Sequence, residues 1–217
     1  MNTVIPGGEI WRGNESRTHD AGDSMRVVTK FGGTSLGNGD RINRAADSIA
    51  QAVEQGHEVA VVASAMGNTT DELLEEIEFD AEESDKAQIV SMGERTSVRM
   101  LKAALAARGV ESIFLEPGSD QWPIITDEHG EVDIEETTRR AHALAGQLGD
   151  IVPVITGFLA EDHQGNVTTL GRGGSDTTAV MLGKYMDADE VIIVTDVEGV
   201  MTGDPRVVEG ARNVGRI

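Results

Sequence analysis

The chain contains no cysteine, which excludes disulfides, cysteine-ligated zinc and thiol catalysis. It is also poor in positive charge, with 18 lysines and arginines against 38 aspartates and glutamates, a formal net charge of −20. Such a surface repels nucleic-acid phosphates and anionic membranes, so neither is expected as a partner. No apolar run approaches the roughly 18 residues needed to cross a bilayer. The N-terminus lacks the charged-then-apolar layout of a secretion signal, and a cytoplasmic protein is expected. Two phosphotransfer signatures are missing as well. There is no Gly-x-x-x-x-Gly-Lys-Ser/Thr loop, and neither the His-Arg-Asp nor the Asp-Phe-Gly motif of protein kinases occurs.

Lysine is scarce within the basic set, confined to Lys30, Lys86, Lys102 and Lys184. Surplus acid with few lysines resembles the composition of proteins from salt-loving organisms, an ordinary acidic cytosolic enzyme being the alternative. In either case a lysine inside a glycine-rich motif is conspicuous. That motif is Val27-Val28-Thr29-Lys30-Phe31-Gly32-Gly33-Thr34-Ser35, a short β-run ending abruptly in two glycines and two hydroxyl residues. Two glycines let a backbone approach a bulky anion and aim successive N–H groups at it. A helix that follows adds the attraction of its N-terminal dipole. On these residues alone, a phosphate-binding turn and a plain strand–turn–helix with an exposed lysine both stay open.

At 217 residues the chain can bury one sizeable core. Residues 1–24 are polar and aperiodic and are expected to be a disordered leader, leaving residues 25–217 as the folded domain. Ile42, Ala45, Ala46, Ile49 and Val53 recur at helical spacing, with Asp40 near the start and Gly56 as a stop. Val59-Ala60-Val61-Val62 is the continuous apolar run of a strand covered on both faces. Further expected elements are a loop at 64–71, a short helix at 73–79, a long helix at 86–108, a strand at 112–115 and a helix at 134–148. A buried strand at 151–158 then leads into a hairpin over 161–170. A second glycine-rich loop at 171–174 opens a helix capped by Ser175 or Asp176, and a last strand covers 191–194. The class is therefore α/β, a mainly parallel sheet sandwiched by helices, with a β-hairpin before the second glycine-rich loop.

Three side chains outside the first motif invite chemistry. Arg172 lies between glycines in an acidic chain, and a guanidinium forks onto a carboxylate. The alternative is a surface arginine paired to nearby acid. Asp176 is either a helix cap or a contact to a substrate ammonium. Glu94, beside Gly93 in the long helix, reads from its residues alone as a solvated glutamate.

Lys30-Phe31-Gly32-Gly33-Thr34-Ser35 resembles the signature of aspartokinases, within the amino acid kinase family. Three further blocks match in the same order. They are Ser64-Ala65-Met66 through Thr70-Asp71, then Gly93-Glu94, then Thr169-Leu170-Gly171-Arg172-Gly173-Gly174-Ser175-Asp176 with Thr195-Asp196 and Asp204-Pro205-Arg206. The resemblance implies an ATP-dependent transfer to the side-chain carboxylate of L-aspartate, the first step towards lysine, threonine and methionine. It implies Lys30 and Asp176 as catalytic residues, Lys30 stabilising the transferred phosphoryl group. Thr70, Glu94, Arg172 and Ser175 would bind substrate, with Glu94 and Asp176 around its ammonium. Gly32, Gly33, Ser35, Gly173, Gly174, Thr195, Asp196, Asp204 and Arg206 would bind nucleotide. Mg2+ would come chiefly on ATP phosphates, with no protein ligand named.

The resemblance has departures. Met201 stands where some relatives carry an aromatic residue, and Met92 where some carry histidine. The family continues past the position of Ile217 into a further lysine near the nucleotide, the last strands of the domain and paired ACT regulatory domains. The domain is therefore expected to be incomplete at its C-terminus, without an ACT domain, and a homo-oligomer in its full-length form. Alternatives are another amino acid kinase, acting on glutamate, N-acetylglutamate, carbamate or a nucleoside monophosphate, or an inactive fragment.

Overall fold

The structure, a computed structural model, describes residues 2–6, 24–195, 210 and 212. Its main sheet contains β1 (Asn2–Pro6), β2 (Arg26–Phe31), β3 (Glu58–Ala63), β4 (Ser112–Leu115), β6 (Val152–Thr156) and β9 (Glu190–Thr195). They run in the order β1-β9-β2-β3-β6-β4, each neighbouring pair parallel. A small second sheet joins β5 (Ile125–Thr126), β7 (Leu159–Asp162) and β8 (Val167–Thr169), with β7 and β8 forming the expected antiparallel hairpin.

Among the described residues, five α-helices flank the main sheet and its ends: α1 (Gly39–Glu54), α2 (Thr69–Glu75), α3 (Glu83–Ala106), α4 (Ile134–Ala145) and α5 (Gly174–Tyr185). Strand residues alternate between two cores, which is why β3 has no polar side. Val27, Phe31, Val59, Val61 and Val154 pack with Ile42, Ala46 and Ile49 of α1 and Val98, Leu101 and Leu105 of α3. Val28, Ala60, Val62 and Ile155 pack on the other face with Leu144 of α4 and Ala179 and Leu182 of α5. Each fully buried Ile, Leu or Val contributes about 1.5–3 kcal/mol over an exposed one. Asn38 caps α1 by accepting the Arg41 N–H at 3.0 Å. Gly56 closes it with φ +85°, a left-handed conformation that suits glycine at a helix end.

Sequence expectation and structure part at four places. Asn2–Pro6 pairs with β9, Asn2 opposite Val191 and Pro6 opposite Thr195, which corrects the expected disorder of residues 1–24 at these five residues. Without β1, β9 would expose a row of unpaired N–H and C=O groups. A segment can satisfy them through its backbone alone, with no side-chain periodicity to announce it. The helix expected at 73–79 is α2, four residues earlier at its start; it buries none of its residues, so no apolar stripe marks it. The two-residue β5 is too short to leave a pattern. Directly after Gly33 comes a three-residue 3-10 turn, Thr34–Leu36, and the long helix α1 begins only at Gly39.

β2 is the topological switch. Its connection through α1 leads to β3 on one side, while α5, on the opposite face, leads into β9 on the other side. Connections that leave a strand end towards opposite faces open a crevice there, where open α/β sheets hold ligands. The ends of β2, β3 and β9 converge at that crevice: Gly32 N–H donates to Val194 O at 3.2 Å, and Ser64 N–H to Phe31 O at 3.1 Å.

Candidate active site

Lys30 is the penultimate residue of β2 and, by alternation with Phe31, lies on the α5 face of the sheet. It is buried, unlike the exposed lysine of the plain strand–turn–helix alternative, and its Nζ lies 2.7 Å from Asp176 Oδ1. A buried ammonium without a counter-charge is strongly destabilising, so this carboxylate is needed where it stands. Asp176 does not cap α5, and neither does Ser175. The helix starts after Gly173, whose φ is 76°, with no side-chain cap. The Asp176 carboxylate is turned to Lys30 instead, in the first turn of the helix and half exposed.

The glycines of the two loops divide into pairs. Gly33 is required by close approach, since a Cβ there would lie 2.4 Å from Gly67 O. Its carbonyl accepts the Gly67 N–H at 2.9 Å, holding the loop after β3 against the loop after β2. At Gly32 a Cβ would meet only ordinary contacts, 3.5 Å from Lys30 Nζ and 3.6 Å from Val194 O. The Gly32 N–H is spent on Val194 O and that of Gly174 on Gly171 O. Gly33 and Gly173 are left with N–H groups that meet no acceptor among the described residues. Ser35 directs its hydroxyl to Val194 O at 3.4 Å.

Glu94 is buried in α3. Its Oε1 accepts from Thr70 Oγ1 at 3.2 Å and from the Ala65 N–H at 3.4 Å, both in the segment after β3. Its Oε2 is buried and has no hydrogen-bond partner among the described residues. Burial pushes the carboxyl up to about 7, against the lowering effect of those hydrogen bonds. Gly93 makes the close fit possible, since a Cβ there would sit 2.9 Å from Ala65 Cβ. A carboxylate with one oxygen anchored and the other unanswered is suited to receive a cation.

Arg172 is exposed at the second glycine loop and pairs with no other described residue. Ser175 is half-buried at the start of α5, beside Gly157. Thr195 ends β9 at the mouth of the crevice. Asp196, Met201, Asp204 and Arg206 lie outside the described residues. Three participants in the geometry escaped sequence reading. The Ala65 N–H and the Thr178 hydroxyl carry no signal that separates them from any buried loop or helix residue. Gly157-Phe158 did offer one, a glycine inside the apolar run expected as a strand over 151–158, which marks a bend or a close approach of another segment.

The amino acid kinase family model matches residues 25–217. An aspartokinase of Geobacillus stearothermophilus is 41% identical over 197 residues, covering 88% of this chain and 47% of that protein. One of Pseudomonas aeruginosa is 41% identical over 198 residues with the same coverage. The chain therefore spans about half the length of the curated relatives it matches. Among solved structures, E. coli aspartokinase III in complex with aspartate and ADP superposes with a TM-score of 0.73 at 27% identity, over 87% of this chain and 53% of that one. The match takes in every strand of the parallel sheet from β2 onwards and both glycine loops, and on that ground the chain belongs to the amino acid kinase family.

Proposed function

We propose that residues 25–217 are part of the catalytic domain of an aspartate kinase. In the reaction a side-chain carboxylate oxygen of L-aspartate attacks the γ-phosphorus of ATP. The bond from that phosphorus to the β–γ bridging oxygen breaks, and ADP leaves with the electron pair, giving 4-phospho-L-aspartate. The observation that carries the reading is the Lys30–Asp176 pair at the switch point of the sheet. Phosphoryl transfer needs little covalent help from protein. It needs fixed positive charge where the phosphoryl oxygens spread negative charge. Lys30 supplies it, its buried side chain held by Asp176.

The N–H groups of Gly33 and Gly173, which meet no acceptor among the described residues, are backbone donors for nucleotide phosphate, and Ser35, Gly32, Gly174 and Thr195 line the same loops. Mg2+ would arrive on those phosphates; among the described residues no cluster of three histidine, aspartate or glutamate side chains is arranged to hold it. For the acceptor, Glu94 Oε2 is the anion for the α-ammonium, with Thr70 beside it. Arg172, which pairs with no other described residue, is the guanidinium for the carboxylate that does not react, near Ser175. Two relatives at 41% identity named aspartokinase support this acceptor over glutamate, N-acetylglutamate, carbamate or a nucleoside monophosphate. On this reading the enzyme serves lysine, threonine and methionine synthesis in the cytoplasm, as a homo-oligomer in its full-length form.

The test is ADP release by the purified protein with ATP, magnesium and each acceptor in turn, with hydroxylamine trapping of the acyl phosphate. Aspartate alone should give a hydroxamate. A hydroxamate with glutamate or N-acetylglutamate instead would reassign the substrate, and none with any acceptor would remove the activity.

A further inference from the structure

Thr178 lies one turn into α5, fully buried, and has no part in the chemistry described so far. Its hydroxyl is used twice. It donates to Gly174 O at 2.9 Å and accepts the Phe158 N–H at 3.2 Å. Phe158 is a residue that needs holding. Its φ is 67°, a left-handed conformation that non-glycine residues keep only where the surroundings impose it. Its carbonyl accepts the Leu170 N–H at 2.8 Å, which ties the same residue to the end of β8.

The neighbouring contacts leave little slack. A Cβ on Gly157 would lie 2.6 Å from Ser175 Oγ, and one on Gly174 would lie 2.9 Å from the Phe158 ring. The turn between β6 and β7 is thus seated directly on the first turn of α5. That turn carries Ser175 and, 2.7 Å from Lys30, Asp176.

We propose that Thr178 is a positioning residue for phosphoryl transfer: its hydroxyl locks the Gly157-Phe158 turn to the first turn of α5 and so fixes Asp176 where it holds Lys30. The inference rests on the reading of Lys30 as the phosphoryl-stabilising group. Removing the hydroxyl leaves the half-buried Phe158 N–H unanswered, a loss the turn relieves by moving away from α5. A displacement of about 1 Å in a group that places a catalytic charge costs up to about 10²-fold in rate.

Two variants separate this from plain stability. Thr178→Val keeps the shape and loses the hydroxyl, while Thr178→Ser keeps the hydroxyl. Each is read in two ways: kcat and KM for both substrates, and the rate at which acetic anhydride acylates Lys30, followed by peptide mass spectrometry against Lys102 as reference. We expect T178V to lose about 10-fold or more in kcat with little change in KM for ATP, and its Lys30 to acylate several-fold faster while Lys102 does not. T178S should match the wild type in both. A T178V protein that melts earlier but keeps wild-type kcat and Lys30 reactivity would overturn the proposal, as would T178S failing as badly as T178V. Should T178V not fold, Gly157→Ala strikes the same contact from the strand side, and unchanged Lys30 reactivity there overturns it equally. If the wild type forms no acyl phosphate, the acylation readout decides alone. Raised Lys30 reactivity in T178V then upholds the positioning of Lys30 while the substrate reading falls.

Discussion

Lys30, at the end of a central strand, and Asp176, on the first turn of a helix, meet at 2.7 Å, the lysine buried and the aspartate half exposed. The ammonium is therefore held in place by a carboxylate that remains open to water on its other side. Lys30→Ala should lower turnover by about 10²-fold or more. Because an ion pair is lost together with its buried charge, the melting temperature should move little. Steady-state ADP release beside a circular dichroism melt checks both, and full turnover in a folded variant would remove Lys30 from the mechanism.

Glu94 gives the protein a pH dependence with a defined sign. Burial raises its carboxyl to about 7, above its ordinary range, so between about 4.5 and 7 the folded state holds a proton that the unfolded state has lost. The contribution to stability is therefore intact at low pH and declines as pH rises through that window, by about 3 kcal/mol in all. Glu94→Gln should flatten this decline, measured by urea unfolding at pH 5 and pH 8. The ionised form is the one that receives an ammonium. The KM for aspartate should thus fall as pH rises from 6 to 8 in the wild type and stay level in E94Q.

The two glycines of the first loop should behave differently. Gly33→Ala puts a Cβ 2.4 Å from a backbone carbonyl that cannot swing away. It should separate the loops after β2 and β3, with a loss of about 1–3 kcal/mol in stability and a large loss of turnover. Gly32→Ala meets contacts of 3.5 and 3.6 Å and should be tolerated. Equal damage from both substitutions would show that chain flexibility, rather than close approach, is what the loop requires.

Deleting residues 1–6 removes β1 from the edge of β9. Ordering five residues offsets most of the hydrogen bonds they make, leaving a net effect of about 1 kcal/mol. The melting temperature should fall by about 2–4 °C, and light scattering should rise as the bared edge pairs with other chains. An unchanged melt and monodisperse scattering would mean that the strand adds nothing to the fold.

The α/β class, both glycine loops and the alternation of strand and helix were legible because each rests on a local pattern. Val59-Ala60-Val61-Val62, rich in β-branched residues, has the pattern of a strand buried on both faces, and Ile42, Ala46 and Ile49 have the spacing of one face of a helix. Lys30 stood out for its setting, a rare lysine in front of two glycines. Other features depended on how distant segments meet. Asp176 reads equally well as a cap, and it faces Lys30 because α5 packs against β2 across the sheet. Glu94 reads as a solvated glutamate until the segment after β3 closes over it and withdraws it from water. Gly33 and Gly32 are identical in sequence terms, yet only one lies against the backbone of Gly67. Strand β1 left only the short β-branched run Thr3-Val4-Ile5 in the sequence, without alternation, and β9 binds it through main-chain groups that every residue has. Hydrophobic period and turn chemistry act within a few residues and survive in the sequence. Burial, charge pairing and close backbone approach are properties of the assembled sheet, and only its order β9-β2-β3 brings them together.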